Sequence, residues 1–120
     1  MPPGASLIFT ASNLARLPGP AGIDYSASKA AIVAMVRSLS RQLAPQGIRV
    51  NGVAPSLVYS PFVALSGVTT EGLNAMGPGN PLGRVEQPAE VGPVYVDIAA
   101  GDKTFLTGSI WGDNGGGLGF

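Results

Sequence analysis

Ser6 to Ala11 is an almost wholly apolar run, of the length expected for a strand buried on both faces of a parallel sheet. Two prolines and a glycine within residues 1–5 set a turn before it. Pro18, Gly19, Pro20 and Gly22 follow, so Asn13 to Asp24 reads as loop. The next stretch, about Tyr25 to Ala44, carries apolar side chains at Ala27, Ala30, Ala31, Ile32, Val33, Ala34, Met35, Val36, Leu39 and Leu43. They cover more than one stripe, which predicts a long helix buried on two sides. One side packs on a sheet, and the alanine side meets a second helix or a partner subunit. Pro45 and Gly47 end the helix. Ile48 to Ala54 predicts a second strand, and strand–helix–strand makes one right-handed βαβ unit.

Periodicity then fades. Pro55 to Leu82 is rich in Gly, Pro and Ser, with short helical turns expected at Val63 to Leu65 and Glu71 to Met76. A connection this long in a compact domain is usually a lid or binding loop. Pro88 opens a further helix over about 88–100, with apolar positions at Val91, Val94, Tyr95, Ile98 and Ala99. Thr107 to Trp111 predicts a third short strand, and Asp113 to Phe120 a glycine-rich tail. The pattern is α/β: a partial doubly wound parallel sheet of about three strands with two main helices.

Composition narrows the chemistry. The chain has 120 residues, zero formal net charge, and neither cysteine nor histidine. One domain is the natural expectation. Zinc fingers, thiol catalysis and a Ser-His-Asp triad are excluded within these residues. Scattered Lys and Arg give no nucleic-acid footprint, and neutral charge gives no attraction to a membrane surface. No apolar run approaches the roughly 20 residues of a membrane span. Met1-Pro2-Pro3-Gly4 lacks the charged and apolar regions of a secretory signal, so a cytoplasmic location is expected.

The candidate chemistry lies in Tyr25-Ser26-Ala27-Ser28-Lys29, at the start of the long helix. Residues four apart share one helix face, so the phenol and the ammonium lie one above the other. An unperturbed phenol titrates near pH 10, and bringing it near neutrality takes about 4 kcal/mol. A fixed positive charge helps and burial opposes. The positive end of the helix helps further, and a cationic cofactor beside the ring can add the rest. Alone, this spacing also fits a surface tyrosine and lysine. Ser12 lies at the carboxyl end of the first strand, where open α/β sheets bind ligands, and its hydroxyl can hold a substrate oxygen or simply satisfy the loop backbone. The tail Gly115 to Gly119 is not a phosphate loop, because no helix follows it, and Asp113-Asn114-Gly115 lacks the further ligands of a calcium loop.

The run Leu7 to Ser12, the Tyr25/Lys29 pair and Gly47-Ile48-Arg49-Val50-Asn51-Gly52-Val53-Ala54-Pro55 together resemble the short-chain dehydrogenase/reductase family. The resemblance covers essentially the whole chain and only the C-terminal half of such an enzyme. It implies a Rossmann-like fold over residues 1–120, with 55–82 as a substrate lid. It also implies an NAD(P)-dependent oxidoreductase moving a hydride between the cofactor and a small carbonyl or alcohol substrate. Tyr25 is then the general acid/base. Lys29 lowers its pKa and bonds the nicotinamide ribose, and Ser12 orients the substrate. Pro55, Val58 and Ser60, with Tyr25 and Lys29, approach the cofactor. No metal site is implied. NADP is slightly favoured over NAD. Ser56 stands where the family usually has glycine and Ser60 where it usually has threonine. Asn51 is expected to be structural, tying strand ends together. Arg37 and Arg41 share a helix face and are expected in solvent or at a subunit contact.

The resemblance further implies that the glycine-rich dinucleotide site belongs to an N-terminal half that this sequence does not contain. The expectation is a truncated chain starting at an internal methionine, its first strand left as a sheet edge that invites pairing. The alternative expectation is a non-catalytic fragment that pairs with full-length relatives or with itself as a homo-oligomer.

Overall fold

The computed structural model describes residues 1–117 and 119–120, Pro78 by its backbone alone. The elements run β1 (Ser6–Thr10), α1 (Ile23–Leu43), β2 (Arg49–Pro55), α2 (Pro61–Leu65), α3 (Thr70–Met76), α4 (Pro88–Ala99) and β3 (Ile110–Asp113). The three strands form one parallel sheet in the order β1-β2-β3, with Phe9 opposite Gly52 and Val53 opposite Trp111.

β2 is the centre of the molecule: Arg49 to Ala54 are all buried. Successive side chains of a strand point to opposite faces. Gly52 faces α1, where its missing side chain leaves room for the Ile110 and Val36 side chains, and Ala54 packs with Val33. Arg49 points the other way, to the end of α4, where its guanidinium donates to the carbonyls of Ile98 (2.9 Å), Ala99 (3.4 Å) and Ala100 (3.1 Å). The unpaired carbonyls of a helix C-terminus thus find a cationic donor inside the fold. Asn51 is fully buried and bonds both the Leu106 carbonyl and the Ser109 amide, tying β2 to the approach of β3. Its structural role is the one expected.

Several boundaries differ from expectation, each for a local reason. β1 is only partly buried, with Thr10 exposed, because as the sheet's edge it lacks a neighbour on its outer flank. Asn13 to Ala15 is a short 3-10 turn rather than open loop, capped by Ser12. α1 starts at Ile23 after left-handed Gly22 and ends through a 3-10 turn, Ala44–Gln46, at left-handed Gly47 (φ 69°). β2 begins at Arg49 because the Ile48 amide still bonds the Leu43 carbonyl. β3 begins at Ile110, not Thr107. The Thr107 hydroxyl takes the Val50 amide, Gly108 turns at φ 76°, and Asn51 holds Ser109, so side chains replace the ladder over residues 107–109.

α1 buries Ser26, Val33, Val36 and Ser40 and leaves Ala27, Ala30, Ala31 and Ala34 exposed, so the expected second buried side is not made by the described residues of this chain. In the 55–82 connection the two short helical turns form as α2 and α3. Pro61 starts the first, and the Thr69 hydroxyl caps the second through the Gly72 amide (3.1 Å). Leu118, in the tail set aside as a phosphate loop, lies outside the described residues.

Candidate active site

The carboxyl end of β1 meets the N-terminal part of α1. Tyr25 and Lys29 lie on one face of that helix, half-buried and one turn apart. The Lys29 ammonium sits 5.6 Å from the centre of the Tyr25 ring and donates to the Thr10 carbonyl at 3.0 Å. That bond fixes the charge at the end of β1. An ammonium has three donors, so two remain for other partners. The Thr10 hydroxyl in turn shares a 2.7 Å hydrogen bond with the Tyr95 hydroxyl of α4, so the strand end is held from both sides of the sheet.

Ser12 follows two residues after Thr10 and is buried. Its oxygen accepts from the Leu14 amide at 3.2 Å, capping the 3-10 turn that packs against α1. A hydroxyl has one proton and two lone pairs, so capping spends one lone pair and leaves the O–H free to donate. The structural and the chemical uses of Ser12 are compatible.

Pro55 ends β2, the strand beside β1. Val58 makes a parallel bridge with Glu86, and the Tyr59 amide bonds the Glu86 carbonyl at 2.8 Å, which anchors the 55–60 segment. Ser60 sits at the N-cap of α2, but its oxygen accepts no amide of the first turn, so the side chain is not committed to the helix. Phe62, in the same helix, stacks on Tyr25 with ring centres 6.1 Å apart and planes 26° from parallel. The structure therefore gathers Ser12, Tyr25 and Lys29 around the end of β1 and joins the Ser60 segment to them through Phe62. Thr10 and Phe62 are the participants that sequence reasoning missed. Only the position of Phe62, two residues after Ser60, offered a signal.

A second polar cluster lies beside the same segment. Both carboxyl oxygens of Glu86 and Oδ2 of Asp113 are buried without a hydrogen-bond partner among the described residues when both groups are ionised. Burial pushes the Glu86 carboxyl up to about 8, helped by the hydrogen bond and charge of Asp113 and by Glu90, with Arg84 opposing. A proton on Glu86 supplies the missing donor between the two carboxyls. Arg84 grips Glu90 with both nitrogens (2.7 and 2.6 Å), and Glu90 also accepts from the Gln87 amide, closing the capping box of α4. The guanidinium and that amide hold Glu90 down at about 2. Among the described residues no group of three acidic side chains is placed to hold a metal ion, and no helix is long and apolar enough to cross a membrane.

Comparison with known proteins gives one consistent match. A family model described as enoyl-(acyl carrier protein) reductase matches residues 1–117. The chain is 42% identical over 113 residues to a glucose and ribitol dehydrogenase homolog from Oryza sativa subsp. japonica, covering 94% of this chain and 37% of that protein. It superimposes on a short-chain dehydrogenase/reductase, a glucose/ribitol dehydrogenase from Brucella melitensis, with a TM-score of 0.87 and 32% identity, over 97% of this chain and 46% of the other. An NADPH-bound short chain oxidoreductase from Pseudomonas aeruginosa PAO1, containing an atypical catalytic center, gives a TM-score of 0.83 at 29% identity, over 95% and 46%. The chain thus spans about two fifths of that curated relative's length and less than half of each solved one.

Proposed function

The chain belongs to the short-chain dehydrogenase/reductase family of oxidoreductases, and from that premise we propose that residues 1–120 form the acid/base part of an enzyme that moves a hydride between a nicotinamide cofactor and a small carbonyl or alcohol. The observation that carries this reading is the Tyr25/Lys29 stack, pinned to the end of β1 by the bond from Lys29 to the Thr10 carbonyl.

Lys29, with two donors to spare, and the uncommitted Ser60 side chain fit the nicotinamide end of such a cofactor, with Tyr25, Pro55 and Val58 beside them. NADP is slightly favoured over NAD, in keeping with the NADPH-bound relative. When bound, the cofactor supplies or accepts the hydride. The residues of this chain manage the proton. The Tyr25 hydroxyl gives its proton to the substrate oxygen in reduction and takes it back in oxidation. Lys29 stabilises the phenolate that Tyr25 leaves behind. The Ser12 O–H holds the substrate oxygen in place. The 55–82 segment closes over the substrate, and the protein works in the cytoplasm.

Tyr25→Phe is expected to lower NADPH-dependent carbonyl reduction by roughly 10²–10⁴-fold, the usual worth of a positioned acid/base group. The melting temperature should hold, since the phenol oxygen has no hydrogen bond among the described residues. Undiminished turnover in that variant ends the assignment of Tyr25.

The free edge of β1 and the exposed alanine face of α1 favour a second reading, in which the chain pairs with a second copy or with a full-length relative and is itself non-catalytic. Titration with NADPH separates the two. Saturable binding lost in Lys29→Ala supports the enzyme, whereas no binding together with co-purification of a full-length relative supports the fragment.

A further inference from the structure

We infer that Phe62 is the substrate-recognition wall of this site and that the substrate it selects is an uncharged carbonyl compound with a flat, apolar or aromatic substituent. The inference rests on the reading of Tyr25 as the acid/base group. A carbonyl oxygen that takes the Tyr25 proton must lie within hydrogen-bond reach of the phenol. The Phe62 ring occupies one flank of that phenol, 6.1 Å centre to centre and 26° from parallel. It is not a core residue turned inward by chance, because 64% of its surface is exposed although it is large and apolar. Its position is fixed instead by Pro61, which starts α2, and by the stack itself. The exposed part of the ring is an apolar surface beside the reacting group, and a flat substituent on the carbonyl carbon can lie against it. Offset aromatic pairs favour such an arrangement.

The segment that carries Phe62 adds no cation to the site beyond Lys29. Between Leu57 and Gly83 the sequence contains one charged residue, Glu71. That side chain is exposed on α3, and its sign repels carboxylates and phosphates. Between α2 and the start of α3 lies a cavity of about 260 Å³ lined by Val63, Ala64, Val68 and Leu73 together with the uncharged Tyr59, Ser60, Thr69 and Thr70. The segment over the site thus offers apolar surface and neutral hydroxyls but no cation for an acidic substrate.

The test reads binding, not turnover. The full chain is titrated with acetophenone, and in parallel with ribitol and glucose, following ligand saturation-transfer signals by NMR. Acetophenone should bind the wild type more tightly than either polyol. Phe62→Ala should weaken it by roughly threefold to tenfold, the worth of one aromatic stack, and Phe62→Tyr should restore it. Leu65→Ala, in the same helix and 87% exposed, should bind acetophenone as the wild type does. Equal acetophenone affinity in Phe62→Ala, or a wild type that prefers ribitol or glucose, overturns the proposal. An inactive chain that still binds acetophenone through Phe62 counts against the acid/base reading alone. An active chain indifferent to Phe62 counts against the recognition wall alone.

Discussion

Arg49→Met is expected to destabilise the chain by about 3 kcal/mol, a large share of the roughly 5–15 kcal/mol that holds an ordinary domain together. Arg49 is 8% exposed and directs its guanidinium to three successive carbonyls at the end of α4. Among the described residues no carboxylate pairs with it, so the negative end of the helix is its counter-charge. Methionine keeps most of the stem's volume and packing, which isolates the loss of the hydrogen bonds. What it leaves is a partly buried helix end, the Ile98 carbonyl inside and those of Ala99 and Ala100 nearer solvent, and each hydrogen bond to a charged group is worth about 1.5–3 kcal/mol. The damage should concentrate where Arg49 acts. Amides of α4 should exchange with deuterium faster, while those of α1 change only with global stability. Urea unfolding measures the total, and a midpoint equal to the wild type's at unchanged slope rejects the role given to Arg49. Arg49→Lys should recover part of the loss, since one ammonium can bond some of the carbonyls but not span them as a fork.

Arg49 also shows where reading the sequence stops. It lies in a strand that was legible as a buried apolar run, yet nothing in the spacing of a single strand says that an arginine inside it faces carbonyls about fifty residues later. The parallel α/β order, the end of α1 at Pro45 and Gly47, and the two short helices of the 55–82 segment were legible because each rests on local rules of period and backbone conformation. The Tyr25/Lys29 pair was legible for the same reason: four residues make one helical turn. Partners set by tertiary packing were not. Thr10 receives Lys29 through its backbone carbonyl, which has no sequence signature. Phe62 meets Tyr25 only through the tertiary placement of α2, which no local pattern encodes. The start of β3 was misjudged by three residues because the Thr107 and Asn51 side chains take ladder positions that a propensity reading assigns to backbone. The edge position of β1 was an expectation of the family resemblance, and the described strands run in the order β1-β2-β3.

The second large effect is one of pH. Stability should fall as pH rises from about 4.5 to about 8, the reverse of the usual carboxylate behaviour, and Glu86→Gln should remove most of the fall. In the fold the Glu86 carboxyl is raised to about 8, first by burial and then by its hydrogen bond and repulsion with Asp113. In the unfolded chain it titrates near the ordinary 4.5. Between these values the folded state holds a proton that the unfolded state has lost, so stability decreases with rising pH. The contribution is complete below about 4.5 and gone above about 8. The groups that face Glu86 agree in sign: Asp113 from β3 and Glu90 from α4 disfavour its charge, and only Arg84, engaged with Glu90, opposes them. Glu90 itself works in a separate window. Held at about 2 by Arg84 and the Gln87 amide, it contributes stability that is present above about 4.5 and lost as pH falls toward 2. Exposed as that ion pair is, its share is small. For these two groups the summed contribution is largest near pH 4.5, with the larger loss on the alkaline side. Melting temperatures of wild type and Glu86→Gln from pH 4 to 9 test this. Glutamine keeps a donor toward Asp113 at every pH, so its curve should be flatter and should lie above the wild type's at pH 8 and higher. Parallel curves for the two proteins mean that Glu86 is not the group that titrates. Because the backbone of Glu86 carries the Val58 bridge and accepts from the Tyr59 amide, loss of its side-chain proton should loosen the 55–60 segment, the base of the proposed cofactor contact.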